Sequence, residues 1–582
     1  MRHLLVVVSL VLAASRAVPA SEWRTYGGSL RRLFFNPAET TITPDNVGRL
    51  RVKWTFPTGA IVTAQPAVAE LAVPGAGRTQ VAFITSWDGY LYALRTRDGT
   101  QLWRFRMDEQ PGAPYPFAAS VHVQGMGGTE RLFAAGGETV YCLDARTGAE
   151  LWRFDAGTRC ALSGLCGFRT ERNQVESSPI VARDERGRPL VLFGMDVNDY
   201  EAGKGGFYAI DARDGRLVWF FDLETGSTCR PFPHDNIRRF DGYHTEVELG
   251  LPPGFLATRP GCGFDRTRTG CGNVFSSASV DARRHILYFA SANCDTDSDP
   301  ATAKPPPPMP PYDEAIVALH LDGTPAWRWR PREVDPSDLD FGAVPNLFTI
   351  DFGGARRDVV GEGAKDGTYY VIDRDGVNEV TGVHWNDPDP TGLPYWRTQV
   401  VPGGEAGGLV GSASVDECRG RIYFATAPGT DEDIFHPQQP TVHALDMHTG
   451  AIVWQNTTEP NADASFAPSM AIPGVVFEGK DVGGALRTYA ADTGALLGQF
   501  PVGFTLASAP AIVDGLVILG AGSGERGPDP TDLGYTASVT PQPVTAFCVP
   551  GTPACDGRAG RPHGSGRPPR CPRALHPPGR QR

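Results

Sequence analysis

A carboxylate, an amide, a second carboxylate and an amine follow one another along this chain at Glu201, Asn293, Asp340 and Lys365. Amide and carboxylate oxygens are the ligands that hard cations such as Ca²⁺ take in proteins. A carboxylate beside such a cation stays ionised and can serve as a general base, and a lysine can stabilise negative charge that develops on an oxygen. Each residue alone is ordinary turn or surface composition, so a site is predicted only if all four side chains converge.

A repeated sequence motif predicts the strands and turns that would position these residues. An apolar strand is followed by a turn that contains glycine, and a tryptophan comes four residues after the glycine, as in Asp144, Gly148 and Trp152. The glycine takes a positive φ in the turn, and the alternating residues that follow form the next strand. Five copies carry the tryptophan: Trp103, Trp152, Trp219, Trp327 and Trp454. Two further copies, at 369–373 and 488–494, are interpreted as degenerate because they lack it.

Repetition of one hairpin unit predicts an all-β fold in which small four-stranded sheets are arranged radially as a β-propeller. Seven copies are visible. The segment around Trp54 is expected to pair with the apolar segments 511–513 and 517–519, which would close an eighth sheet. We therefore predict an eight-bladed propeller with tryptophan-docking motifs over residues 21–525, with seven blades as the alternative.

The two ends of the chain differ in composition from this body. Residues 1–20 have a basic start, a short apolar stretch and small residues before Ser21, which predicts a cleaved signal peptide and a periplasmic or secreted protein. The apolar stretch is too short for a membrane span. Residues 526–582 are expected to form a C-terminal extension, basic and disordered from about residue 556. The formal net charge of -12 disfavours a nucleic-acid partner.

Eleven cysteines in an exported chain are expected to form disulfides rather than a metal site. Local spacing predicts three pairs: Cys160–Cys166, Cys262–Cys271 and Cys548–Cys555. The remaining pairings stay open. The sequence contains no Cys-x-x-Cys-His, so no c-type haem is attached to it.

Both ends of the predicted propeller resemble a known family. The segments Trp23-Arg-Thr-Tyr-Gly-Gly, Val52-Lys-Trp-Thr-Phe-Pro-Thr-Gly and Gly474-Val-Val-Phe-Glu-Gly-Lys-Asp are similar to those of the pyrroloquinoline-quinone (PQQ)-dependent alcohol dehydrogenases, or quinoproteins. The resemblance covers Trp23 to about Gly524 and is nearest to the polyvinyl alcohol dehydrogenase-like members, without their haem segment. The family fold is an eight-bladed propeller, in agreement with the repeats.

The resemblance implies an exported dehydrogenase that oxidises an alcohol by hydride transfer to PQQ, assisted by Ca²⁺. Asn293 and Glu201 match the segments that hold the ion, with Asp199 as the alternative to Glu201 because the spacing differs by one residue. Asp340 matches an ion ligand that is also the catalytic base. Lys365 matches the cation that contacts the quinone oxygens.

Several positions depart from the family pattern. Phe275 stands where the family stacks a tryptophan beneath the quinone, and phenylalanine stacks with less area. The adjacent pair of cysteines that caps the other face is absent from 117–122, Thr63 replaces a glutamate, and Val410 begins the stretch that replaces an Asn-Trp pair. Gly342 stands where lanthanide-using relatives carry an extra aspartate, so calcium is the expected ion.

The expected partners are a small, secondary or polymeric alcohol and a separate electron acceptor such as a soluble cytochrome c. The alternative is a non-catalytic PQQ-like propeller that binds other periplasmic proteins, because a fold alone does not confer chemistry. Phe275 and the missing cysteine pair are what a lost quinone site would look like. Convergence of Asn293, Asp340 and Lys365 in the structure would favour the enzyme.

Overall fold

The chain folds into eight antiparallel sheets. A computed structural model describes residues 22–108, 115, 117–156, 174–196, 205–240, 246–247, 250–262, 272–293, 311–332, 335, 338–376, 394–404, 407–427, 439–456, 465–480, 484–503, 505–523 and 540–556. These residues contain 33 strands, three short 3₁₀ turns and one helical turn at Pro553–Asp556. Within the described ranges, no helix has the length and apolar character needed to cross a bilayer. The prediction of an all-β, eight-bladed propeller is confirmed, and the seven-bladed alternative is wrong.

Blades 1 to 7 follow one another along the chain after a first strand, β1 (Arg51–Pro57). Blade 1 contains β2 (Ala67–Val73), β3 (Gly77–Thr85), β4 (Tyr90–Arg95) and β5 (Gln101–Arg106). Blade 2 contains β6 (His122–Met126), β7 (Thr129–Gly136), β8 (Thr139–Asp144) and β9 (Glu150–Asp155). Blade 3 has five strands: β10 (Ile180–Arg183), β11 (Pro189–Met195), β12 (Gly206–Asp211), β13 (Leu217–Asp222) and β14 (Ser227–Cys229).

The next four blades have four strands each. Blade 4 contains β15 (Ser279–Asp281), β16 (Ile286–Ala290), β17 (Ile316–His320) and β18 (Pro325–Trp329). Blade 5 contains β19 (Asn346–Phe352), β20 (Ala355–Gly363), β21 (Thr368–Asp373) and β22 (Trp396–Gln399). Blade 6 contains β23 (Ser414–Asp416), β24 (Arg421–Ala425), β25 (Val442–Asp446) and β26 (Ile452–Asn456). Blade 7 contains β27 (Met470–Ile472), β28 (Val475–Lys480), β29 (Ala485–Ala490) and β30 (Leu496–Pro501).

Blade 8 joins the two ends of the described chain. Its strand order is β1, β33 (Pro543–Cys548), β32 (Leu516–Leu519) and β31 (Ala511–Val513). The predicted closure by β1 and the segments near 511–519 is therefore right in its location, but β33 lies between β1 and β32. The predicted propeller boundary at residue 525 is wrong, because the strand that completes the ring comes after it.

Seven of the eight blades are anchored to the next blade by a tryptophan that packs on a turn glycine, and blade 7 contributes none because its sequence contains no tryptophan. Seven such pairs are present in the described residues: Trp54–Gly99, Trp103–Gly148, Trp152–Gly215, Trp219–Gly323, Trp327–Gly376, Trp396–Gly450 and Trp454–Gly494. Most of these indoles also donate to a backbone carbonyl of the same turn, as Trp454 does to Ala491 at 2.9 Å. Trp396 is absent from the sequence repeat because residues 377–393 separate it from its own blade's turn. The blade classed as degenerate at 369–373 therefore does carry a docking tryptophan.

The segment before β1 crosses from blade to blade along the first strand of each. Its main-chain and side-chain hydrogen bonds reach blade 1 at Val68, blade 2 at Val123, blade 3 at Ser178, blade 4 at Val280, blade 5 at Leu347, blade 6 at Val415, blade 7 at Ala471 and blade 8 at Ile512. The partners on the segment all lie within residues 23–36. Because this segment bonds to all eight blades, it closes one end of the propeller axis.

Two disulfides lie within the described residues. Cys548–Cys555 forms as predicted. The predicted Cys262–Cys271 pair is wrong, because Cys262 bonds to Cys229 at the end of β14 and so ties down the excursion between them. The predicted Cys160–Cys166 pair lies outside the described residues.

Two turn glycines provide a direct test of tryptophan docking. Gly148 and Gly187 have φ values of 74° and 75°, but a Cβ at Gly148 would lie 2.6 Å from Cε3 of Trp103, whereas one at Gly187 would meet nothing within 4 Å. Both alanine substitutions should cost about 1–2 kcal/mol for the left-handed backbone. Gly148→Ala should cost roughly 1–3 kcal/mol more because it overpacks the indole. Urea unfolding of both variants measures the difference, and equal losses would contradict docking as a source of stability.

Candidate functional site

A cavity of about 180 Å³ lies where the eight blades meet. One residue from each blade lines it: Thr63, Ala118, Glu176, Phe275, Gly342, Val410, Phe466 and Ala507. We call this set the upper ring. Residues two positions further along most of these segments form a lower ring, because alternate residues of an extended chain face the same side: Ser120, Ser178, Ser277, Val344, Ser412, Pro468 and Ala509. Tyr26, from the crossing N-terminal segment, lines the same cavity.

Three predicted site residues converge on one another, and one of them, Asp340, lies two residues before Gly342 of the cavity lining. Asn293 follows β16 of blade 4, while Asp340 precedes β19 and Lys365 follows β20, both of blade 5. The Lys365 Nζ lies 3.1 Å from Asp340 Oδ1, and the Asn293 amide N–H donates to Asp340 Oδ2 at 3.3 Å. The Lys365 amide also donates to the Asp340 carbonyl at 2.9 Å. The predicted convergence of Asn293, Asp340 and Lys365 is thus present.

Asp338 also belongs to this group of interacting side chains, although the sequence did not distinguish it from an ordinary turn residue. Both of its carboxylate oxygens accept from Lys365 Nζ at 2.9 Å, and its φ of 50° places it in the left-handed region. Lys365 therefore lies between two carboxylates. The only signal in the sequence was the Asp-x-Asp spacing of 338 and 340, which an extended segment turns toward the same side.

Burial dominates the electrostatics of this group. It raises the pKa of Asp340, against the opposing effect of the Lys365 charge. Burial, together with the neighbouring Asp340 charge, raises the pKa of Asp338 to about 7. Burial alone would lower the pKa of Lys365, but Asp340 and Asp338 raise it above its usual range, so the amine stays protonated. The group is a charged network held in a dry environment.

A second set of charges fixes the backbone of the 338–340 segment. Arg332 donates to the Leu339 carbonyl at 2.7 Å and also pairs with Asp366. Asp335 accepts from the Leu339 amide at 2.5 Å. Glu314, fully buried nearby, was missed by the sequence reasoning. Burial first, and the Asp335 charge next, raise its pKa well above the usual range.

The remaining predicted residues fall in two places. Phe275 lies in the upper ring of the cavity, where it can present a ring face or edge to a flat ligand. The ring also contains Thr63, Gly342 and Val410, the positions at which the chain departs from the family pattern. Glu201 and its alternative Asp199 lie outside the described residues.

The donor set fits part of a hard-cation site. Asp340 Oδ1 is buried, with Lys365 Nζ 3.1 Å away, and the other oxygen of this carboxylate accepts from the Asn293 amide N–H. Carboxylate and amide oxygens are ligands that calcium takes. Over the described ranges, no group of three His, Cys, Asp or Glu residues is arranged to hold a metal. Asn293 and Asp340 would therefore hold such an ion only together with further oxygens.

Comparison with known proteins agrees with this architecture. Residues 23–407 match the family model PQQ, described as glucose/ethanol/alcohol dehydrogenase, beta-propeller domain. A polyvinylalcohol dehydrogenase from Pseudomonas sp. is 24% identical in an alignment of 516 residues that covers 82% of this chain and 67% of the relative. A second, from Sphingopyxis sp. strain 113P3, is 23% identical over 505 residues, with the same coverage of both chains. The chain belongs to the PQQ-dependent alcohol dehydrogenase family.

Solved structures show the same fold. The quinohemoprotein alcohol dehydrogenase from Comamonas testosteroni superposes with a TM-score of 0.63 at 19% identity, over 92% of this chain and 81% of that one. A europium-containing methanol dehydrogenase superposes with a TM-score of 0.63 at 16% identity, over 91% of this chain and 98% of that one. At these identities the likeness concerns the fold.

The position of Asp338 predicts a specific pH dependence for the metal-free protein. Its folded pKa of about 7 exceeds the ordinary value of 3.8, so the folded state binds more protons between these values. The free energy of unfolding should therefore fall as pH rises from about 4 to about 7, by up to about 1.4 kcal/mol per pH unit. Asp338→Asn should reduce this slope by the share of one carboxyl group, because Asp340 and Glu314 also have raised pKa values and continue to contribute. Asp514→Asn, at another positive-φ but exposed aspartate, is the control. Urea unfolding at several pH values in this range measures the free energy of unfolding. Parallel plots of this free energy against pH for wild type and Asp338→Asn would refute a raised pKa of Asp338.

Proposed function

We propose that this protein is an exported, calcium-assisted PQQ-dependent alcohol dehydrogenase that passes electrons to a separate acceptor. The observation that carries the proposal is the convergence of Asn293, Asp340 and Lys365. A binding scaffold has no need to bury these three groups together. Membership of the quinoprotein family supports the same activity.

Asp340 is proposed as the general base. Its Oδ1 is buried and lies 3.1 Å from Lys365 Nζ, and a carboxylate in this position would accept the hydroxyl proton of an alcohol. The Lys365 charge favours the ionised form of this carboxylate against the effect of burial, and the Asn293 amide N–H donates to its other oxygen. Arg332 and Asp335 hold the backbone on which the base is mounted.

PQQ, when bound, would supply the electron-accepting carbonyl chemistry. Phe275 would lie against the flat ring system, and Lys365 would stabilise negative charge on nearby oxygens. Asn293 and Asp340 would hold the calcium ion, with Glu201 or Asp199 as the proposed third ligand. A carboxylate donor set of this kind suits an oxygen-seeking cation.

The proposed substrate is a secondary or polymeric alcohol. Two relatives of this chain are named polyvinylalcohol dehydrogenases, and the upper ring has the small Ala118, within the stretch 117–122 that lacks the family's cysteine pair. Other relatives are named cytochrome c-linked enzymes, among them the 1-butanol dehydrogenase (cytochrome c) of Thauera butanivorans. We therefore propose a soluble cytochrome c as acceptor, in the periplasm or outside the cell, after removal of residues 1–20.

Turnover should depend on Asp340. Asp340→Asn, reconstituted with PQQ and Ca²⁺, should lose about 10²–10⁴-fold in rate because the base is removed while the side-chain volume is kept. Asp351→Asn, on the exposed part of β19, is the matched control and should retain full activity. Dye-linked oxidation of polyvinyl alcohol and of ethanol measures both the rate and the preference. Full activity of Asp340→Asn would exclude it as the base, and oxidation of ethanol alone would exclude the polymeric substrate.

Cofactor binding should depend on calcium through Asn293. Calorimetric titration of PQQ into metal-stripped protein should show tight binding with Ca²⁺ and weak binding without it. Asn293→Ala should lose the calcium dependence, because the backbone contact to Asp340 stays while the amide oxygen goes. Absence of PQQ binding in wild type under every condition would favour the alternative, a non-catalytic propeller scaffold. Its partners would then be sought by affinity capture.

A further inference from the structure

Arg32 lies fully buried beneath the axial cavity. Its guanidinium lies over the ring of Tyr26, 5.4 Å from the centroid, and Nη2 donates to the Ser178 carbonyl at 3.4 Å. Both Tyr26 and Ser178 line the cavity. The charge is therefore one layer below the cavity wall, at the end closed by the N-terminal segment.

The partners of this guanidinium are all neutral. Nε donates to the Ala278 carbonyl at 2.9 Å, and Nη1 donates to Thr25 Oγ1 at 3.0 Å and to the Tyr26 carbonyl. With the Nη2 bond to Ser178, four of the five N–H groups of an arginine are used. Among the residues that the structure describes, no carboxylate forms an ion pair with Arg32. A buried charge without a counter-ion is costly, so the arrangement calls for an anion nearby.

The backbone adds a second sign that Arg32 is present for its charge. Its φ of 54° lies in the left-handed region that glycine occupies with less strain. A glycine would let the segment cross the axis without strain and without a buried cation. Backbone strain of this kind is commonly retained at positions where the side chain has a functional role.

Serine hydroxyls of the lower ring face the same space. The oxygens of Ser120, Ser178 and Ser277 each accept an amide N–H from the preceding blade, at 2.8, 3.0 and 2.9 Å. Ser412 accepts in the same way from Val344 at 3.2 Å. An accepting hydroxyl keeps its own O–H as a donor. The lower ring thus offers hydroxyl donors beside a cation, which is the chemistry that binds an anionic oxygen.

We propose that the base of the axial cavity is an anion site, in which Arg32 supplies the charge and the lower-ring serines supply donors. The ligand is a carboxylate or another small oxyanion. Its source is a carboxylate of the quinone, in which case the site rests on the proposed function, or a free inorganic anion. Arg32 acts through its charge, as a positioning residue.

Calorimetry on the full, metal-stripped and PQQ-free protein tests the site with two probes. Inorganic phosphate at constant ionic strength is the first probe, and PQQ with Ca²⁺ is the second. Arg32→Gln should weaken at least one of them by 10-fold or more, while Arg32→Lys should retain most of the affinity. Arg31→Gln is the matched control, since it removes the same charge from the neighbouring, half-exposed residue paired with Glu417.

The outcomes separate the two sources of the anion. Phosphate binding that requires Arg32 and is displaced by PQQ identifies one shared site. Loss of PQQ affinity alone identifies a quinone carboxylate. If neither wild type nor any variant binds PQQ, the proposed dehydrogenase function fails. Phosphate binding then still tests the anion site on its own.

The proposal is overturned if neither probe distinguishes Arg32→Gln from Arg31→Gln, or if wild type binds neither. Should Arg32→Gln fail to fold, Ser277→Ala replaces it, with a several-fold loss of affinity expected. Unchanged affinity in Ser277→Ala would then overturn the site. A purely structural role for Arg32 would lower the unfolding temperature without changing either affinity.

Discussion

The antiparallel pairing of β1 with β33 is the constraint on which the rest of the structure depends. Each blade alone is a small sheet with two exposed faces and open edges, and such sheets are stable only when packed on neighbours. This pairing places the chain's first and last described strands in one sheet, so every blade has a neighbour on both sides. The axial cavity exists only because all eight blades meet around it.

Ring geometry also explains how distant residues form one site. Asn293 ends a strand of blade 4, and Asp340 and Lys365 flank strands of blade 5. Packing of adjacent blades brings the ends of these strands together, although a long excursion separates the residues in sequence. In seven of the eight blades a tryptophan docks on the turn glycine of the next blade and restricts the angle between the two sheets. The precision of the site therefore rests on the packing at the periphery as well as on the contacts at the centre.

The sequence predicted those parts of the molecule that repeat or that carry a local signature. The turn glycines and tryptophans revealed the blades because a docking pair needs both residues at fixed spacing. It missed Trp396 and β33, since long insertions separate each of them from the motif to which it belongs. Asn293, Asp340 and Lys365 were found by family resemblance, whereas Arg32 and Glu314 were not. Burial of a lone charge depends on long-range packing, and no local pattern in the sequence reports it.

The distribution of charged side chains along the propeller interior relates the Asn293, Asp340 and Lys365 group to Arg32 beneath the cavity. Lys365 is paired with both Asp338 and Asp340, and a cation held by Asn293 and Asp340 would favour the ionised form of these carboxylates against the effect of burial. Arg32, at the closed end of the axis, has no ion pair with a carboxylate among the described residues, and the Glu176 carboxylate that lines the cavity accepts from Gln174. A flat, polyanionic ligand together with a divalent cation would interact favourably with both groups of charges. The interior charges thus favour the ligand pair that the family uses, even though Phe275 and the stretch 117–122 have replaced two of its usual contacts.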